Sequence, residues 1–254
     1  MAKKESATID IVDVNQSRME IHLLGDSPLI YHAMSQKAYH ELLLPKGKKS
    51  AAEKAITLKH DPLKEFRDSM YYARDKDGPT RLVAPSIWFK KAIMSAALDT
   101  PGATKAKIGR LVYVIGDEVP VYGIPEVMMT IVRSADMNRT PDVRTRAILP
   151  TWYAKMTVAF AEPALTGAVL TKLAAAAGIT SGVGDWRVQK GSGNYGRFII
   201  VSPDHPQVKL LVDAGAKAAQ DEAIKEPVAY DSETESLLDW FQVEVKRRGI
   251  KEVA

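Results

Sequence analysis

With 254 residues, 46% of them hydrophobic, the chain can bury one substantial core, and its composition excludes wholesale disorder. No run approaches the roughly 18 to 20 apolar residues of a membrane span, and Met1-Ala2-Lys3-Lys4-Glu5-Ser6 lacks the apolar stretch of a signal peptide, so a cytoplasmic protein with no membrane partner is expected. The lack of cysteine removes disulfides, thiolate zinc sites and cysteine nucleophiles, while a net charge of only +4 leaves open a strong local excess.

In residues 18–24, apolar Met19, Ile21 and Leu23 alternate with polar neighbours as in a half-buried strand, and Gly25-Asp26-Ser27-Pro28 turns the chain. A helix from about Ala33 to Leu44 is expected next. The connector 45–62 carries five lysines against Glu53 and Asp61 and reads as a mobile loop, either solvated or attracting phosphate. Leu63 to Arg74 looks helical, Asp75-Lys76-Asp77-Gly78 is a turn, and Arg81-Leu82-Val83 is a short strand. Pro85-Ser86 then opens a helix whose Ile87, Trp88, Phe89, Ala92, Ile93 and Ala96 form an apolar stripe.

Thr104 to Ile115 fits helix or strand, and Pro120 marks Val119 to Tyr122 as an edge strand. Val127 to Val132 and Tyr153 to Phe160 are the clearest strands. They flank a basic excursion, 133–150, with Arg133, Arg139, Arg144 and Arg146 against Asp136 and Asp142, which suggests a hairpin with a projecting tip. Residues 164–177 are strongly helix-forming, and Gly178 is expected to stop that helix. A glycine loop and the strand Phe198 to Val201 follow. Beyond Pro203 two helices are expected, Gln207 to Ala223 and Ser232 to Arg248, and the stretch 221–239 holds seven acids and one lysine. That acidic tail either folds over the domain or docks on a neighbouring copy, which would make a homo-oligomer.

Six of these elements run strand, helix, strand, strand, helix, strand. The expected fold is therefore α+β, a ferredoxin-like or RRM-like βαββαβ core over residues 1–202 with the basic loops 45–62 and 133–150 inserted, followed by a helical C-terminal extension, 203–254.

The glycine loop is the most informative segment. Gly191-Ser192-Gly193-Asn194-Tyr195-Gly196 matches the letters of a dinucleotide fingerprint, but such a fingerprint leaves a strand and opens a helix, and this one leaves a helix and enters a strand. There is no Walker A sequence. Five glycines in fifteen residues permit close backbone approach, and Arg187, Lys190 and Arg197 are interleaved with Trp186 and Tyr195. Cations for a phosphate backbone and flat rings for bases suit a single-strand binding surface. The competing reading is a structural turn with Trp186 in the core and Arg187 paired to a carboxylate.

A helix, a glycine-rich basic loop and a strand closing such a sheet resemble the RAMP superfamily, the RNA-binding subunits of CRISPR effectors. Ser27-Pro28-Leu29-Ile30-Tyr31-His32 and Gly182-Val183-Gly184-Asp185-Trp186-Arg187 also look like segments of uncharacterised tailed-bacteriophage proteins, a resemblance that spans most of 18–201 and implies location in the host-cell cytoplasm. The RAMP-like resemblance implies that 133–150 is a thumb pressed onto nucleic acid by Arg139, Arg144 and Arg146.

His22, His32, His40, His60 and His205 show no metal-ligand spacing, so neither metal nor cofactor is expected. Some RAMP-like endoribonucleases use a histidine, which makes His32 the one candidate for a metal-independent nuclease, although no nucleophile or orienting partner accompanies it. The leading expectation is a non-enzymatic, phage-type protein that binds single-stranded nucleic acid through Arg139, Arg144, Arg146, Trp186, Arg187, Lys190, Tyr195 and Arg197, repeated in copies along the strand. The alternative is a protein–protein interaction factor, a phage inhibitor or assembly protein.

Overall fold

The alternation at Met19, Ile21 and Leu23 is realised in β1 (Asn15–Gly25), which buries Ile21 and Leu23 and packs Met19 beside them. The structure is a computed structural model that describes residues 13–44, 60–133, 141–190 and 193–249. After β1 come β2 (Leu29–Ile30), α1 (Gln36–Leu43), α2 (Pro62–Asp68), β3 (Val83–Pro85) and α3 (Ser86–Ala96). The stretch that fits helix or strand is both: Thr104 caps α4 (Lys105–Leu111), which runs straight into β4 (Val112–Val114). There follow β5 (Glu118–Tyr122), β6 (Glu126–Arg133), β7 (Pro141–Leu149), β8 (Tyr153–Glu162), α5 (Gly167–Thr180), β9 (Phe198–Val201), α6 (Pro206–Ala214), α7 (Lys217–Lys225) and α8 (Ser232–Arg248).

The fold is mixed α/β with antiparallel sheets. The larger sheet has the order β3-β5-β8-β1-β9, with β4 also paired to β8, and the smaller has the order β2-β7-β6. In the larger sheet Ile21 faces Met156 and Leu23 faces both Ala154 and Ile200 across antiparallel pairs. Helices α3 and α5 pack on each other over this sheet, and their buried Phe89, Ile93, Leu170 and Leu173 join the main core. No helix among the described residues is long and apolar enough to cross a membrane.

Several expectations are corrected. The strands 127–132 and 153–160 do not pair with each other. β6 pairs with β7, so the basic excursion 133–150 is largely a strand of the smaller sheet, and Arg144 and Arg146 lie within its ladder. Their charge hid a strand whose Val143, Thr145 and Ala147 lie on one face and Arg144, Arg146 and Ile148 on the other, with Arg146 and Ile148 buried there too. The residues joining the two strands, 134–140, lie outside the described ones, as do most of the lysine connector, 45–59. At the end of that connector His60 bridges Glu65 at 2.8 Å and Asp142 at 2.9 Å, and the Asp61 side chain caps α2.

The strand containing Pro120 is not an edge, since β5 uses residues 118–120 for β3 and 121–122 for β8. Nor does Gly178 end its helix. It is buried inside α5, where a β-carbon would strike the carbonyl of Phe198 in β9, and the helix runs on to Thr180 with Ser181 as its cap. The C-terminal helices fold back over the molecule: the amide of Val127 donates to Val228, that of Tyr230 to Val127, and that of Met129 to the Thr234 hydroxyl.

Candidate nucleic-acid interface

The two segments Ser27 to His32 and Gly182 to Arg187, far apart in sequence, are neighbours in space. The amide of Asp185 donates to the Ile30 carbonyl at 3.0 Å, that of Gly196 to Pro28 at 2.8 Å, and that of Arg197 to the Ser27 hydroxyl at 2.9 Å. The loop doubles back on itself through Val183 N–H to Gly196 at 2.9 Å and Tyr195 N–H to Trp186 at 3.3 Å. Such close stitching demands glycine at several points, Gly196 among them, where a β-carbon at φ +68° would strike the Val183 carbonyl. A β-carbon on Gly184, at φ +78°, would come within 2.7 Å of the Ile30 carbonyl, and one on Gly193 would collide with the Trp186 backbone. Trp186 itself sits at φ +48°, a left-handed conformation that costs a bulky residue about 1–2 kcal/mol and must be held by its surroundings.

Those surroundings are the outer face of the smaller sheet. By the β6–β7 register Met128 lies opposite Arg146, Thr130 opposite Arg144 and Glu126 opposite Ile148. Ile30, Met128 and Ile148 make a small apolar cluster on this face, and Trp186, Tyr195 and Tyr230 pack over it. The Trp186 and Tyr195 rings are 6.2 Å apart and inclined at 36°. Arg146 runs beneath the tryptophan: its guanidinium carbon lies 5.1 Å from the Trp186 ring centre, within cation–π range, and Nη2 is 3.2 Å from Asp185 Oδ2. The Arg146 side chain is only 9% exposed, and its Nε and Nη1 are buried without a hydrogen-bond partner among the described residues. Burial disfavours the charge of Arg146, and Asp185 offsets that cost.

His32 is exposed as a residue, yet partial burial of its ring, then the Arg146 charge, lowers its pKa below the ordinary value; Arg144 acts the same way and Asp185 opposes them. The Tyr230 phenol is raised, first by burial and then by Tyr195, Glu126 and Asp231.

The sequence-predicted residues thus fall into groups. Arg144, Arg146, Trp186 and Tyr195 share the hairpin face, with Arg144 half exposed and 3.7 Å from Asp142. Arg187 donates to the Gly184 carbonyl at 2.9 Å and to Gln189 at 3.2 Å, and no carboxylate among the described residues pairs with it. Lys190 is exposed at the end of a 3₁₀ turn, Val188–Lys190, which is held to α3 by Gln189 and Ser95. Arg197 pairs with Asp26 at 3.1 Å, and Arg139 lies outside the described residues. Sequence reasoning missed Ile30, Met128, Ile148 and Tyr230. The alternation through 143–148 carried a signal for Ile148, whereas Tyr230 arrives only because the C-terminal tail folds back.

Among the described residues no group of three or more His, Asp or Glu side chains is arranged to hold a metal ion. No protein-family model matches the chain, and no curated protein matches it.

Proposed function

We propose that this face binds single-stranded nucleic acid. One observation carries the reading: a tryptophan in a strained backbone conformation is fixed beside a tyrosine, over a buried arginine, at the rim of a sheet that also bears the half-exposed Arg144. Flat rings held in place can stack on bases without sequence preference, and neighbouring cations meet the phosphates. In this arrangement Trp186 and Tyr195 are the stacking groups. Arg144, Lys190, Arg197 and, from the sequence, Arg139 supply phosphate contacts. Arg146 is a positioning residue, because its guanidinium is engaged by Asp185 and covered by Trp186. Arg187 braces the loop.

The sheet order β9-β1-β8-β5, with α3 and α5 packed together over it, supports reading the larger sheet as a ferredoxin-like arrangement. In that reading the β6–β7 hairpin and β2 form an appended sheet, and its basic strand plays the part of a thumb. The likeness to RAMP subunits rests on the glycine loop and the strand order, and the likeness to phage proteins on the segments 27–32 and 182–187.

The test is a fluorescence-anisotropy titration with single-stranded DNA, single-stranded RNA and duplex at ionic strengths of about 50 and 200 mM. Three or four phosphate contacts to a single strand predict a log–log salt slope of about −2 to −3. Replacing Arg144, Lys190 and Arg197 together by alanine flattens the slope, while Tyr195→Ala weakens binding at both salts and leaves the slope unchanged. Absence of binding at low salt, or indifference to the triple replacement, rejects the proposal.

A further inference from the structure

Arg146 gives Nη2 to Asp185, but its Nε and Nη1 are buried with no hydrogen-bond partner among the described residues. Leaving donors of a charged group unused in the interior is costly, and a folded chain that does so calls for a physical reason. Thr130 adds a third unused group. Its Oγ1 is also buried without a partner among the described residues, and the β6–β7 register sets it opposite Arg144, on the face that carries Arg146.

Positive charge gathers at the same spot. Arg144 and Arg146 lie two residues apart on one face of β7, and both charges reach the His32 ring, where they join burial in lowering its pKa. The carboxylates nearby are already engaged. Asp185 holds Arg146, while Asp142, 3.7 Å from Arg144, also bonds His60. Glu126 stands opposite Ile148, on the far side of Arg146 from Thr130. Two guanidiniums and a hydroxyl on one strand pair suit an anion with several acceptor oxygens.

The Trp186 indole closes this spot, its ring centre 5.1 Å from the Arg146 guanidinium carbon. Its backbone, at φ +48°, is one that a bulky residue adopts only under constraint, and such strain gathers at clamps and switches. Trp186 is itself partly exposed, so the ring has solvent to turn into.

We infer that Arg144, Arg146 and Thr130 form a subsite for one phosphate group and that the Trp186 ring is its cover. When the ring lifts to stack on a base, Nε and Nη1 of Arg146 are uncovered, and the phosphate flanking that base settles between the two arginines. With the ring down Arg146 positions the indole; with the ring raised it holds the phosphate. The inference rests on the single-strand reading for the source of that phosphate, whereas the subsite itself accepts free phosphate as well.

Trp186→Gly tests the cover, since glycine accepts a left-handed backbone that alanine would strain. A subsite open in about 10% of molecules or fewer shows an affinity weakened about tenfold or more. Inorganic phosphate, titrated at constant ionic strength and followed by the arginine Nε–Hε NMR signals, should therefore bind Trp186→Gly at least about tenfold more tightly than the unaltered protein. Adding Arg146→Lys to that variant should abolish the gain, and the signal it deletes is that of Arg146. In the unaltered protein a single-stranded oligonucleotide should move the same signal. Circular dichroism melting shows whether Trp186→Gly is folded; if it is not, the oligonucleotide titration alone decides. Phosphate bound by Trp186→Gly, with no oligonucleotide bound by the unaltered protein, keeps the subsite and rejects the single strand as its source. An oligonucleotide that binds without moving the Arg146 signal, or a folded Trp186→Gly that takes phosphate no better than the unaltered protein, overturns the inference and leaves the stacking surface standing.

Discussion

Asp185 Oδ2 lies 3.2 Å from Arg146 Nη2, and this ion pair fastens the glycine loop to the outer face of the β6–β7 hairpin. Arg146 is almost wholly buried and Asp185 keeps a quarter of its surface, so the pair sits where water cannot fully replace a lost partner. The same guanidinium lies against the Trp186 ring, so one side chain holds both the loop's carboxylate and its indole.

Arg146→Ala therefore removes an ion pair and a cation–π contact together. Breaking a buried pair from one side costs about 3–5 kcal/mol, and the partial exposure of Asp185 places the loss toward or below the lower end. Asp185→Asn, which leaves Arg146 buried and charged, should cost a comparable amount, and the double variant less than the sum. Urea unfolding of the four proteins measures the coupling. If Arg146 positions the ring, Arg146→Ala also shifts Trp186 fluorescence in the folded state, a change that Arg144→Ala does not produce.

The pKa of His32 is lowered by partial burial and by the neighbouring Arg146. The folded protein then binds a proton less readily than the unfolded chain, so its stability is full above the unfolded histidine value of about 6.5 and declines as pH falls below it toward the lower folded value. His32→Asn should flatten the melting temperature between about pH 5 and 6.5 relative to the unaltered protein. Histidine NMR resonances followed through the same range should show His32 titrating below the ordinary value. If an oligonucleotide phosphate settles beside Arg144, that titration moves upward on binding; a resonance that does not move places the phosphates elsewhere.

Much of the larger sheet was legible because its strands alternate cleanly: β1 shows Met19, Ile21 and Leu23, and β9 is a short apolar run after a glycine loop. Of the smaller sheet β6 was legible and β7 was not, since β7 sets two arginines among its apolar residues and breaks the pattern that marks a strand. Trp186 and Tyr195 were singled out for their residue types, and they are adjacent in space. The role of Arg146 was not readable. An arginine in a basic stretch looks solvent-facing until the register sets it against Met128 and the loop lays a ring across it. Nor does any local pattern reveal that the tail returns to β6, because Thr234 and Tyr230 reach it through tertiary contacts.

Gly178 offers a test whose sign separates two roles. In an exposed helix interior, glycine to alanine stabilises by about 1 kcal/mol. At Gly178 the added methyl meets the Phe198 carbonyl, which is backbone of β9 and cannot rotate away. Gly178→Ala is accordingly expected to destabilise by about 1–3 kcal/mol, the cost of overpacking. Chemical denaturation decides, and a stabilised variant would show that α5 and β9 do not approach as closely as described.

Gln220 of α7, with no exposed surface, uses its whole amide. Its Oε1 accepts from the Arg81 and Leu82 amides at 2.8 and 2.9 Å, and its Nε2 donates to the Val121 and Gly123 carbonyls at 2.8 and 3.0 Å. One side chain thus joins the segment entering β3 to the end of β5, and a C-terminal helix completes the edge of the larger sheet. Gln220→Leu fills the space but strands these four backbone groups, and at about 1–3 kcal/mol for each buried unsatisfied group the loss should reach at least about 3 kcal/mol even after relaxation. Gln220→Glu separates geometry from charge. The ionised carboxylate can accept from Arg81 and Leu82 but has nothing to donate to Val121 and Gly123, and burial raises its folded pKa above the unfolded value of about 4.3. Between those two values the folded protein holds the extra proton, so this variant gains stability relative to the unaltered protein as pH falls through the folded pKa, regaining one donor. Urea midpoints for the three proteins at about pH 7 and pH 5 measure it. A Glu variant that tracks the unaltered protein at both pH values would mean that the amide is not buried between β3 and β5.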